Sequence, residues 1–289
     1  MTTKRMADLR TRLMTSISVG ICVATLIIFS PLPFVSLLLM FFVAGISAIG
    51  VWEYAQLAIA KKRRPATRLM MAIAILEVIA LYISLVFVDL PQLPILVVAL
   101  GVIAFFIHRF KKTAGALNEI AIEFFGIIYV AVPLSLFLGV LYPNPHQGFP
   151  QEGRWWLLYL IVVTKITDVG AYFVGRLWGK NKLCPSLSPQ KTVEGAIAGF
   201  IGAVCASIAI HKLAVYMQAE WFHLSFSESV WLGMLIGILG QIGDLAESLL
   251  KRDAAVKDSN ALPGLGGVLD MVDSLLFTTP IIYFFLRMH

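Results

Sequence analysis

Charge is what this sequence has least of. Only 14% of its residues are charged, where a water-soluble chain of 289 residues would carry roughly a quarter. With 59% hydrophobic residues and a mean hydropathy of +0.85, a soluble domain is excluded. Cysteine is also scarce. Cys22, Cys184 and Cys205 make an odd set without metal-ligand spacing, so neither a disulfide framework nor a thiolate metal site is expected. There is no basic stripe interleaved with aromatics. The net charge of +6 therefore does not point to nucleic acid, because the cations sit in short clusters between apolar runs, as topology signals do. No internal repeat is evident.

What is abundant is apolar sequence, broken by charge or proline. Runs at 14–30, 34–60, 69–88, 93–108, 120–142, 155–175, 193–216, 228–250 and 270–287 each come near the roughly 20 residues a bilayer-crossing helix needs. The expected fold is all-α: a polytopic integral membrane protein of about nine transmembrane helices, with eight or ten as neighbouring counts. The first run is followed by SPLPF rather than a small-x-small cleavage site, and is expected to stay as an anchor. With a cytoplasmic N-terminus, 19 of the 23 basic residues fall inside, three fall outside, and Lys165 lies within a span. A wrong count would scramble that bias, so it supports nine spans and a cytoplasmic N-terminus; the expected location is the cell (inner) membrane.

The two halves differ. In spans 1–5 (residues 1–150) the intramembrane charges are Glu53, Glu77, Glu119 and Glu123, expected to snorkel or pack near span ends. In spans 6–9 (residues 151–289) polar residues that are costly to bury accumulate, and this half is expected to be catalytic. Lys165 and Asp168, three apart, can pair within the bilayer, where a lone charge would cost several kcal/mol. Ser188 before Pro189 reads as an N-cap with proline at the first helical position, and Lys182 and Lys191 beside it make a natural anion site.

Asp244, Glu247, Ser248 and Lys251 share one helical face, and Asp270 and Asp273 share another at the start of the last span. Asp244 lies about six residues from its inner span end, roughly 9 Å deep, where an unpaired carboxylate needs a wet cavity or a cation. Histidine and cysteine are absent nearby, so an oxygen-ligated hard cation such as Mg2+ fits better than zinc. Between the two helices lie Arg252, Lys257, Asp258 and a glycine cluster, Gly264, Gly266 and Gly267. It is neither a P-loop nor a dinucleotide fingerprint. At a helix N-terminus its backbone N–H groups can face phosphates.

Taken together these residues resemble the phosphatidate cytidylyltransferase (CDP-diacylglycerol synthase) family. Its C-terminal signature, S-x-x-K-R, then K-D, then P-x-H-G-G-x-x-D-R-x-D, stands here as Ser248 to Arg252, Lys257-Asp258, and Pro263 to Asp273. Upstream, Asp168 to Tyr172, Gly179 to Pro185 and Ser188 to Gly195 match in order, so the likeness covers about 155–275. The departures are Leu265 for the histidine, Met271 for the arginine, and a spacer one residue shorter.

The resemblance implies transfer of the cytidylyl group of CTP to phosphatidic acid, Mg2+-dependent, at the cytoplasmic face of the bilayer. Asp244 and Asp270 would hold the metal, with Asp273, Asp168 and Asp258 supporting them or holding a second cation. Lys251, Arg252, Lys257, Lys182 and Lys191 would bind the phosphates, and Ser248 would hydrogen-bond one. Self-association as a homodimer is open. The same residues leave three other readings: a CTP-dependent lipid kinase, a slow or inactive family member, and a transporter using the charges as a relay. The transporter would favour charges at the midplane and repeat symmetry, neither of which the sequence shows.

Overall fold

Long apolar segments must satisfy their backbone hydrogen bonds internally when they cross hydrocarbon, and helices do so. The computed structural model describes residues 23–111, 113–143, 152–219, 221–256 and 267–288. They form α1 (23–28), α2 (Pro33–Ala60), α3 (Thr67–Val86), α4 (Leu93–Arg109), α5 (Ala116–Gly126), α6 (Val132–Leu141), α7 (Gly153–Trp178), α8 (Val193–Tyr216), α9 (Phe226–Asp253) and α10 (Val268–Met288). A π-turn at Ile127–Ala131 makes α5 and α6 one continuous span. It precedes Pro133, whose ring and missing N–H disturb the α-helical ladder there.

The all-α membrane architecture holds. Among the described residues, seven helices are long and apolar enough to cross a membrane, and α4 is shorter at 17 residues. The first expected span, 14–30, is described only from residue 23, so seven long helices and α4 account for eight of the nine runs. Among the described residues one β-hairpin interrupts the helices: β1 (Lys182–Cys184) pairs antiparallel with β2 (Ser188–Thr192).

Two apolar clusters position the site. Around Trp156, which is fully buried, the rings of Phe222 and Phe285 lie at 4.5 and 5.3 Å and tie α7 and α10 to the chain before α9. A second cluster joins Val51, Tyr54, Met70, Val130 and Leu134 of the first half to Leu269 and Leu276 of α10. Three of the N-terminal glutamates hold neighbouring elements together. Glu123 pairs with Arg109 and accepts the Ala66 N–H at 2.7 Å, Glu119 accepts the Arg64 N–H, and Glu77 accepts the Ser135 hydroxyl.

Candidate active site

The site begins where α7 and α8 meet backbone to backbone. A Cβ on Gly195 would lie 2.6 Å from the Ala171 carbonyl oxygen, so only glycine permits that approach. The hairpin follows directly from α7 and folds over the pair.

Here the expected helix start at Ser188 is corrected. Ser188 to Thr192 is strand, with Cys184 opposite Ser188 and Lys182 opposite Thr192. The cap is Thr192, whose hydroxyl accepts the Gly195 N–H at 3.2 Å, and Glu194 follows in the first turn. Both Ser-Pro and Thr-x-Glu are N-terminal signals. Pro189, which lacks an N–H, is equally at home in a two-stranded ribbon, and pairing with β1 decides between them.

Between α7, α8, α9 and the hairpin lies a cleft of about 770 Å³. Its walls include Asp168, Arg176, Lys182, Ser188, Lys191 and Asp244, so it gathers five of the residues singled out in the sequence. Lys191 Nζ lies 2.6 Å from Asp244 Oδ2. Arg176 donates to the Tyr172 hydroxyl at 2.6 Å, and both line the cleft. Gln241, one turn before Asp244, donates to the carbonyls of Ala196 and Gly237, at 3.1 and 2.8 Å.

Behind this wall α9 and α10 touch closely. A Cβ on Gly243 would stand 2.5 Å from the Asp273 carbonyl oxygen, and that approach brings the next residue, Asp244, near α10. Asp273 is buried and accepts the Ser274 N–H at 2.6 Å. Asp244, Lys165 and Asp168 are its electrostatic neighbours. The Ser274 hydroxyl donates to Asp168 Oδ1 at 3.2 Å, and Lys165 Nζ lies 3.2 Å from Asp168 Oδ2. The i,i+3 pairing read from the sequence is therefore present. Lys165 Nζ also reaches the carbonyl of Met271 at 3.5 Å.

Asp270 keeps different company. Lys251 Nζ bridges Asp270 Oδ1 and Glu247 Oε2, each at 2.5 Å. Arg252 Nε donates to the Leu187 carbonyl at 3.0 Å and so ties the hairpin to the end of α9. Ser248 is half-buried on α9, outside the cleft walls. Lys257, Asp258, Gly264 and Gly266 lie outside the described residues; Gly267 is buried just before α10. The idea that N–H groups at this helix start face phosphates meets a competitor. Those of Val268 and Leu269 are held by Glu53, at 2.9 and 2.7 Å.

Among the described residues, no three His, Cys, Asp or Glu side chains converge as a metal site. The donor chemistry nevertheless suits a hard cation, being carboxylate oxygen throughout. Lysine ammonium groups stand against Asp244 and Asp270, where a cation's charge would be welcome.

The sequence singles out neither Arg176 nor Gln241 for the site, and gives Glu53 only a packing or snorkelling role. Arg176 follows Asp168 by eight and Gln241 precedes Asp244 by three, so helical periodicity could have found both. Glu53 gives no such signal, since its partners lie 215 and 216 residues away.

A family model described as the cytidylyltransferase family matches residues 10–289. The chain is similar to phosphatidate cytidylyltransferase of Chlamydia pneumoniae, 37% identical over 269 residues, covering 90% of this chain and 86% of that protein. It is also similar to the enzyme so named from Chlamydia trachomatis, 38% identical over 174 residues (58% of this chain, 55% of that one). The Bacillus subtilis phosphatidate cytidylyltransferase is 36% identical over 178 residues (61% and 62%). With the model spanning both halves of a membrane-embedded bundle, the chain belongs to the cytidylyltransferase family and is a nucleotidyltransferase.

Proposed function

We propose that this enzyme joins CTP to phosphatidic acid at the cytoplasmic face of the membrane, giving CDP-diacylglycerol and pyrophosphate with Mg2+. The observation that carries the reading is the cleft in which Lys182, Lys191 and Arg176 face Asp168 and Asp244. Relatives named for this reaction support the choice of substrates. A phosphate oxygen of the lipid attacks the α-phosphorus of CTP, and the bond from that phosphorus to the pyrophosphate oxygen breaks. Two anions must meet and a third must leave, so positioning and charge neutralisation carry the step.

In this reading Lys182, Lys191, Lys251, Arg252 and Lys257 hold phosphates, Arg176 extends the cationic wall, and Ser248 hydrogen-bonds a phosphate. Lys191, which pairs with Asp244, would turn to the triphosphate of CTP, a better matched anion. Asp244 and Asp270, supported by Asp273, Asp168 and Asp258, would hold Mg2+ and a second cation. When bound, the metal supplies Lewis-acid neutralisation of the phosphates. The lipid enters sideways between the C-terminal helices, where Phe173 and Trp178 are exposed on α7.

The test uses purified protein in lipid nanodiscs with phosphatidic acid, Mg2+ and CTP labelled at the α- or the γ-phosphate. Label from the α-position should enter the lipid and label from the γ-position should leave as pyrophosphate. Entry of the γ-label would make the protein a lipid kinase and overturn the reading.

A further inference from the structure

The helix that carries Asp270 and Asp273 starts in the protein interior. Val268 is 3% exposed and Leu269 is fully buried, so water does not reach the first amides of α10. The leading N–H groups of any helix lack partners within it, and a buried helix end must find them elsewhere. Here one side chain supplies two. Glu53 of α2, itself 2% exposed, accepts the Val268 N–H on Oε1 and the Leu269 N–H on Oε2. Its negative charge also suits the positive end of the helix dipole. One turn earlier on α2, Gly50 lets the helices lie close: a Cβ there would stand 2.9 Å from Val130 Cγ1 and 4.0 Å from Val268 Cγ1.

A carboxylate gripping two successive amides with both oxygens restricts the sliding of α10 along its axis as well as its rotation. Asp270 is the next residue after that grip, and Asp273 follows within one turn. We propose that Glu53 is a positioning residue for the transfer reaction, setting the depth and rotation at which α10 presents Asp270 and Asp273. The inference rests on the reaction proposed above for those two carboxylates.

Glu53→Gln keeps the shape, retains one acceptor and sets an NH2 group against the other amide. Glu53→Asp keeps the charge and shortens the reach. Glu77→Gln is the control. Glu77 is equally buried at 2% exposed, in the same half of the chain, and its carboxylate accepts from Ser135. Hydrogen exchange of the segment 267–274, followed by mass spectrometry, reads the cap without any turnover. In Glu53→Gln the first amides of α10 should exchange about tenfold faster. Its kcat should fall about 10- to 100-fold with KM for CTP nearly unchanged, the signature of a displaced group rather than a lost binding contact. Glu53→Asp should lie between, and Glu77→Gln should change neither quantity. Unchanged exchange in Glu53→Gln would overturn the proposal. So would equal losses of kcat in the Glu53 and Glu77 variants that track their thermal stability. If the wild-type protein does not transfer cytidylyl groups to phosphatidic acid, the reaction assignment fails separately, and the exchange data still decide whether Glu53 holds α10.

Discussion

Replacing Lys251 with methionine keeps most of the aliphatic stem and deletes the ammonium group between Glu247 and Asp270. Each carboxylate oxygen lies 2.5 Å from Nζ, so the two oxygens are at most about 5 Å apart. If both stayed ionised, their repulsion at an effective dielectric constant of about 20 would be ~3 kcal/mol, the upper bound on this contribution because a buried carboxyl takes up a proton instead. Breaking a buried ion pair typically costs ~3–5 kcal/mol, and the 31% exposure of the Asp270 side chain places this case at the lower end. Adding Glu247→Gln removes the repulsion, so the double variant should regain most of that stability. Turnover should stay low, because in the proposed reaction Lys251 also binds a phosphate. The assays are thermal unfolding in detergent and initial rates against CTP concentration, with Glu247→Gln measured alone as reference. A double variant with wild-type kcat and KM for CTP would reduce Lys251 to a counterion and refute the phosphate role. A Lys251→Met protein as stable as wild type would refute the electrostatic argument.

If the proposed Mg2+-dependent reaction holds, Asp244→Asn and Asp273→Asn should each lower cytidylyl transfer by at least about a hundredfold while leaving helix content and unfolding temperature near wild type. Near-normal rates would remove the metal assignment. Met271→Arg and Leu265→His, separately or together, should not reduce the rate of label transfer to lipid. Lys165 already places an ammonium group against the Met271 carbonyl, so an added cation supplements the local charge. A sharp fall would mean the site has been rebuilt around the residues present.

The parts legible in the sequence are those written locally. Hydropathy gave the run at 193–216, and α8 occupies Val193–Tyr216, because a helix in hydrocarbon is as long as its apolar stretch. The pair Lys165 and Asp168 followed from spacing alone, as periodicity brings i and i+3 together. The misread element, the helix start at Ser188, was one where two local signals compete and strand pairing decides. The partners of Asp270 were half legible. Lys251 and Glu247 are four apart on α9, but which carboxylate of α10 they meet depends on the close approach at Gly243. From the sequence Glu53 reads only as a packing or snorkelling residue, since no sequence rule links a glutamate to amides more than 200 positions away.

The lysines of the site have a second consequence. Asp168, Asp244 and Asp273 are electrostatic neighbours near the end of the apolar helices, where uncompensated carboxylates are expensive. Lys165 and Lys191 offset two of the three charges through their ion pairs with Asp168 and Asp244. That leaves an excess of negative charge suited to a cation, while the lysines are mobile side chains suited to phosphate. In the proposed reaction, nucleotide and metal together would exchange these ion pairs for new ones at little change in net charge. A site arranged in this way need not expose bare carboxylates to the bilayer before CTP arrives. The hairpin that carries Lys182 and Lys191 is held to α9 by Arg252, so it can keep those cations in place at both stages.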